Sequence, residues 1–328
     1  MSLHISYRRF SQRLGLGKLA YRLVFAPLGF LNQWSQRGII PFLVDNWQKH
    51  LMERAAIGLL PSECDRPGPV YEVHFLSGER FWYQTSFCFY SLLQQTDLNL
   101  RLVVYDDGTL SQTHIENITT TFPTARIVTA QDIQKNLDKH LPVEKFPYLR
   151  SRRLDYPNLR KLTDIHIGSS GWKLVLDSDM LFFHPPSELL SWLQTPKNPC
   201  HMVDTETAYG YSNSLMKELA GAEIPEQVNV GICGLKSDAL SWNELEAWSK
   251  QLIETEGTHY FQEQAMIAML MARHPCSVMS AKEYVVMPQK AEVSNPKAKL
   301  HHYVAASKPW YFRYGWQHIL ASDLSHSL

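Results

Sequence analysis

The sequence predicts an α/β protein built on an open, mostly parallel sheet and preceded by a mainly helical extension. Three observations lead there. From Val70 onward, short apolar runs alternate with helical patterns, as in right-handed strand–helix–strand crossovers. The apolar run Lys173-Leu174-Val175-Leu176 ends in Asp177-Ser178-Asp179 before apolar residues resume at Met180 to Phe183. Residues 1–67 differ in composition from everything that follows.

Bulk properties narrow the class. With 328 residues, 45% hydrophobic and 20% charged, the chain has room for one large α/β domain and an appendage. Its 32 acidic residues balance 32 basic ones, so no overall field favours nucleic acid, and no nucleic-acid partner is expected. Five scattered cysteines (Cys64, Cys88, Cys200, Cys233, Cys276) form no Cys-x-x-Cys pair. That argues against a disulfide framework or a zinc ribbon and for a reduced, cytoplasmic setting. No stretch approaches about 18 uninterrupted apolar residues, so no membrane span is expected. The first residues lack the apolar core and cleavage site of a secretory signal.

In chain order, Met1 to Leu60 carries Arg8, Arg9, Arg13, Lys18, Arg22, Arg37, Lys49 and Arg54 against only Asp45 and Glu53. Large apolar residues lie between them. Such a mixture suits helices lying on the inner face of an anionic membrane, as a peripheral contact. The plainer reading, a helical extension packed on the main domain or an arm for another protein, is preferred. Pro27 and Pro41 interrupt any long amphipathic helix. Pro61 to Pro69 reads as a linker, which sets the expected boundary between residues 1–67 and 68–328.

Val70 to Phe75 then reads as a strand, Leu76-Ser77-Gly78 as a turn, and Glu79 to Gln95 as a helix. Leu100 to Tyr105 is a second strand closed by Asp106-Asp107-Gly108. Ser111 to Thr121 reads as a helix, Ala125 to Thr129 as a strand, and Leu159 to Ile167 as a helix feeding the Asp-x-Asp strand. Cys200 to Asp204 and Val228 to Leu235 are further strands. Ser241-x-x-Glu244 signals a capping box at the start of a helix with Trp242, Leu245, Trp248 and Leu252. Tyr260 to Ala272 is a last helix.

A buried strand that delivers two carboxylates needs a cation, because unpaired charge near a core is very costly. Strand carboxyl ends are also where open α/β sheets bind ligands. Asp177 and Asp179 therefore point to a divalent-metal site. The bland alternative is a polar turn. Other features gain weight only in company: Arg160 and Lys161 upstream, Asn229-Val230-Gly231 inside a strand, Glu263-Gln264 opening a helix, and His302 to Trp310 near the end. Glycine within a strand marks a bulge or a close approach. Pro309 is expected to hold Lys308 extended. Tyr209, Tyr211, Trp242 and Trp248 could form a sugar platform or simply core.

In this order the motifs resemble those of the GT-A glycosyltransferases, most closely glycosyltransferase family 8, which includes glycogenin and the bacterial lipopolysaccharide galactosyltransferases. The matching motifs are Asp177-Ser178-Asp179, Asn229-Val230-Gly231, Glu263-Gln264 and His302…Lys308-Pro309-Trp310, with Val104 to Gly108 as a second strand and turn. The resemblance covers roughly residues 70–316. It implies a Rossmann-like GT-A domain and a metal-dependent transferase. The sugar would move from a nucleotide-diphosphate sugar, most simply a UDP-sugar, with retention. The acceptor would be a glycan, a lipid-linked molecule or a small molecule. By the same resemblance Asp177, Asp179 and His302 would hold Mn²⁺ or Mg²⁺, and the histidine tilts the choice toward Mn²⁺. Gln264, Asn229 and Glu263 match positions near the transferred sugar. Arg160, Lys161, Lys308, Gly231, Asp106 and Ser77 fall where the donor would bind.

Three departures stand out. Glu263 replaces the family's usual aspartate, Ala305 replaces a glycine in the closing motif, and no acid is clearly placed in the turn after the first strand. An inactive glycosyltransferase-like scaffold or sugar-binding protein is the alternative; such a copy is expected to lose an aspartate, His302 or Lys308, all of which are present.

Overall fold

The computed structural model describes residues 39–61 and 66–326. The expectations for the basic N-terminal segment fall mainly on residues before Ile39, outside the described residues, as does part of the expected linker. The chain divides into a unit Met1–Leu51 and a unit Met52–Leu328. A helix, Ile39–Ile57, crosses that point. In the second unit Met52 and Ala56 are buried, and Glu53 accepts a hydrogen bond from Trp82 Nε1 at 3.2 Å. Among the described residues no helix is long and apolar enough to cross a membrane.

Among the described residues ten strands form two sheets. The larger contains β1 (Tyr71–Ser77), β2 (Leu100–Asp106), β3 (Arg126–Val128), β4 (Trp172–Leu176), β6 (Cys200–Val203), β7 (Val228–Lys236) and β8 (Ser277–Val278). The smaller contains β5 (Met180–Phe182), β9 (Tyr284–Val286) and β10 (Leu300–His302). The larger sheet has the order β3-β2-β1-β4-β7-β6-β8. All its neighbours pair parallel except β7, which is antiparallel to both β4 and β6. The expected mostly parallel sheet is therefore present. Its central strands read as near-continuous apolar runs because helices cover both faces.

Helices hold the frame in place. Trp82–Leu93 is buried at every position, its polar residues Gln84, Thr85, Ser86 and Ser91 included. Gln262–Met271 is buried along almost its whole length, so its polar first turn is carried into the interior. The helix predicted over 159–167 is a 3₁₀ turn, Pro157–Leu159, running into an α-helix, Arg160–His166.

Two local expectations are corrected. Ser241 caps the helix Trp242–Glu256 without a side-chain bond, and the Glu244 side chain pairs with Arg273 at 2.7 Å rather than reaching back to close a box. Lys308 is helical (φ −52°, ψ −40°) rather than extended. It opens a one-turn helix with Pro309 in the first turn, where proline's missing N–H leaves nothing unpaired.

Candidate active site

The site forms where the two sheets meet. Strand β4 ends at Leu176, and Asp177 N–H donates to Gly231 O of β7 at 2.9 Å. The chain turns through Ser178 and enters β5 of the smaller sheet. There Met180 pairs with His302 of β10, and Tyr303 N–H donates to Asp179 O at 2.8 Å. Strand register thus brings a histidine more than a hundred residues away beside the two aspartates. The turn is pinned from below: Ser178 Oγ lies 2.7 Å from Thr85 Oγ1, which lies 2.8 Å from Ser77 Oγ.

Asp177, Asp179 and His302 each offer a ligand atom, all within 4.8 Å of one another. His302 Nε2 stands 3.2 Å from Asp179 Oδ1 and 3.7 Å from Asp177 Oδ2. It is buried and makes no aligned hydrogen bond. A buried nitrogen without a partner, aimed at two carboxylates, fits a divalent cation. Two carboxylates and one imidazole suit Mn²⁺ or Mg²⁺, with substrate oxygens completing the shell. Burial pushes the Asp179 carboxyl up, but contact with His302 and the charges of His302 and Lys308 outweigh it and hold it at about 2. Burial pushes the His302 imidazole down, yet Asp179 and then Asp177 leave it raised above its ordinary value.

Lys308 Nζ reaches 3.6 Å from Asp179 Oδ2 while its side chain stays 54% exposed. It is a cation at the rim of the cluster, free to meet an anionic substrate. Lys161 is different. It is buried, 2.7 Å from Asp177 Oδ1 and 3.3 Å from Glu263 Oε1. Burial lowers its pKa, but the two carboxylates raise it overall, so it stays charged beneath the site. Glu263 is 2% exposed, and burial pushes its carboxyl up to about 7 despite Lys161.

A polar patch continues from the metal cluster. Asn229 Nδ2 donates to Asp204 Oδ2 at 3.0 Å, and Gln264 Nε2 donates to the same oxygen at 3.2 Å. Asn229 Oδ1 accepts from Gly231 N–H at 3.0 Å and lies 3.1 Å from His302 Nδ1. Gly231 is needed for close approach: a Cβ there would come within 2.5 Å of His302 Cε1.

The remaining sequence candidates lie at the carboxyl ends of β1 and β2. Asp106 Oδ1 accepts from the N–H groups of Gly108, Thr109 and Leu110, so it shapes the loop. Ser77 is buried in the hydroxyl relay under Ser178. Arg160 Nη1 donates to Asp107 O at 2.6 Å and Nε to Arg153 O at 3.3 Å. Tyr209, Tyr211 and Trp248 are buried core, with Trp242 packed against it, so they form no platform. The exposed aromatics beside the Glu263-Gln264 helix are Tyr260 and Phe261.

Sequence reasoning missed Asp204 and Thr85. Asp204 had a readable signal, since it is an acid closing a predicted strand, the same logic that singled out Asp177. Thr85, inside an apolar helix, had none.

No protein-family model matches the sequence, and no curated protein matches it. Solved structures do. Galactosyltransferase LgtC in complex with donor and acceptor sugar analogs is 14% identical over 78% of this chain and 96% of that one, with a TM-score of 0.50. An active-site mutant of LgtC gives 13% identity, the same coverage and a TM-score of 0.50. Mouse xyloside xylosyltransferase 1 in its apo form is 12% identical over 73% of this chain and 99% of that one, with a TM-score of 0.48. The fold is that of the GT-A glycosyltransferases.

Proposed function

We propose that the protein is a metal-dependent glycosyltransferase that takes a sugar from a nucleotide-diphosphate sugar, with a UDP-sugar as the expected donor. The observation that carries this reading is the Asp177–Asp179–His302 cluster at the sheet's carboxyl edge, with the exposed Lys308 ammonium beside it. The GT-A fold supports it.

Asp177, Asp179 and His302 would hold Mn²⁺ or Mg²⁺. When bound, the ion supplies Lewis acidity at the diphosphate as the sugar–phosphate bond breaks. Lys308 adds a fixed cation where the departing nucleoside diphosphate gains charge. Lys161 holds Asp177 from beneath and is itself paired with Glu263. Gln264, Asn229 and Asp204 line the polar side suited to sugar hydroxyls. Gly231 makes room for His302, while Ser77, Asp106 and Arg160 fix the neighbouring strand ends. Retention is the stereochemical outcome that the family resemblance implies. The acceptor class stays open among glycan, lipid-linked molecule and small molecule.

The test is a thermal-shift and hydrolysis screen of nucleotide-sugars, each with and without Mn²⁺. Stabilisation and turnover by one donor only with metal present is the expected result. Metal-independent silence toward every donor, in folded protein, would favour a non-catalytic scaffold.

A further inference from the structure

Asp204 lies outside the ligand group, yet its hydrogen bonds reach it in two steps. A carboxylate can only accept. Asp204 Oδ2 accepts from Asn229 Nδ2 at 3.0 Å, so the amide nitrogen of Asn229 must face Asp204. Its carbonyl oxygen must then face the other way. The backbone agrees, because Gly231 N–H, which can only donate, meets Asn229 Oδ1 at 3.0 Å. Asn229 Oδ1 is thus an acceptor, and the His302 nitrogen 3.1 Å from it, Nδ1, must carry hydrogen. In the neutral ring the lone pair is left on Nε2, the nitrogen that stands 3.2 Å and 3.7 Å from the two aspartates.

We propose that Asp204 is a positioning residue: through Asn229 it fixes the tautomer of His302 that presents Nε2 to a divalent cation. The inference rests on the metal-dependent reading above. Partners on the far nitrogen of a ligating histidine commonly orient the ring and tune its basicity. Here the partner is an amide, and its orientation is set from both ends: the Asp204 carboxylate accepts from its nitrogen and the Gly231 N–H donates to its oxygen. The same Asp204 oxygen accepts from Gln264 Nε2 at 3.2 Å, so a change at Asp204 reaches the polar patch and the metal ligand together.

The near-isosteric Asp204→Asn variant tests this, because its amide can meet either end of Asn229. Mn²⁺ affinity of the purified full chain is read from the electron-paramagnetic-resonance signal of free Mn²⁺. The variant should bind about 10–100-fold more weakly. Long-range proton–nitrogen NMR of the metal-free protein, at a pH where the imidazole is neutral, should show His302 with hydrogen on Nδ1. In the variant the two tautomers should mix. If the parent protein binds no Mn²⁺, the metal-dependent reading itself fails. If the parent binds but the variant binds equally well, the positioning role is wrong. Weaker binding with an unchanged tautomer would also overturn it, leaving only a charge effect. The parent spectrum judges the idea even if the variant does not fold: hydrogen on Nε2 there would contradict it directly.

Discussion

Gly231 and His302 occupy one space: a single methyl group on Gly231 would lie 2.5 Å from His302 Cε1 and 2.6 Å from Nδ1. The glycine in the Asn-x-Gly motif therefore admits an imidazole, not a backbone turn. Its φ is not in the left-handed region, so the requirement is spatial.

Gly231→Ala should push the ring off Asn229 and away from the carboxylates. Overpacking of this kind costs about 1–3 kcal/mol of stability. The larger expected effect is on the metal: Mn²⁺ affinity, measured by calorimetry, should fall at least tenfold, in line with other losses of ligand support. Unchanged affinity would mean that His302 is not a ligand.

Asp179→Ala removes one ligand and the partner of both His302 and Lys308. Turnover of the donor found in the nucleotide-sugar screen should drop by about 10²–10³-fold, on the scale of losing one fixed electrostatic contact. Thermal stabilisation by Mn²⁺ with that donor should disappear. Full activity in this variant would sink the metal-dependent reading.

Glu263 gives a pH signature. Burial lifts its carboxyl from the usual 4.5 to about 7, so between those values the folded chain keeps a proton that the unfolded chain has lost. Stability must then fall as pH rises through that window. Glu263→Gln carries no such titration. Its unfolding free energy relative to the parent, measured by denaturant at each pH, should therefore climb from pH 4.5 to pH 7 and then level off, a swing on the order of a few kcal/mol. A flat difference across the window would show that Glu263 is ionised throughout.

Ala305 adopts φ +44°, a left-handed conformation that costs a residue bearing a Cβ about 1 kcal/mol or more. Ala305→Gly should relieve that strain and raise thermal stability by about 1 kcal/mol, read by denaturant unfolding. A destabilised glycine variant would show that the alanine methyl makes a compensating contact.

Much of this was legible before the structure. Asp177 and Asp179 were readable because a buried strand cannot end in two unpaired carboxylates. The first two strands and the helix between them were readable because covered parallel strands are apolar runs. The three-residue strands of the smaller sheet were not, since so short a segment carries no period. Lys161 was grouped with Arg160 as a donor-binding cation; its burial between Asp177 and Glu263 depends on how the helix Arg160–His166 packs. The departure at Ala305 was visible as a missing glycine, but not its positive φ. The Asp204–Asn229–His302 chain joins three strands, and only their register puts those residues side by side.

The meeting of the two sheets at Ser178 has one more consequence. Asp177 closes a strand of the seven-stranded sheet, whereas His302 closes one of a sheet whose three strands have three residues each. So small a sheet has little independent stability. A cation shared by these residues would act as a rivet across the seam. Chelation should then loosen β5, β9 and β10 first, as faster amide exchange and earlier proteolytic nicking there, while the larger sheet stays closed.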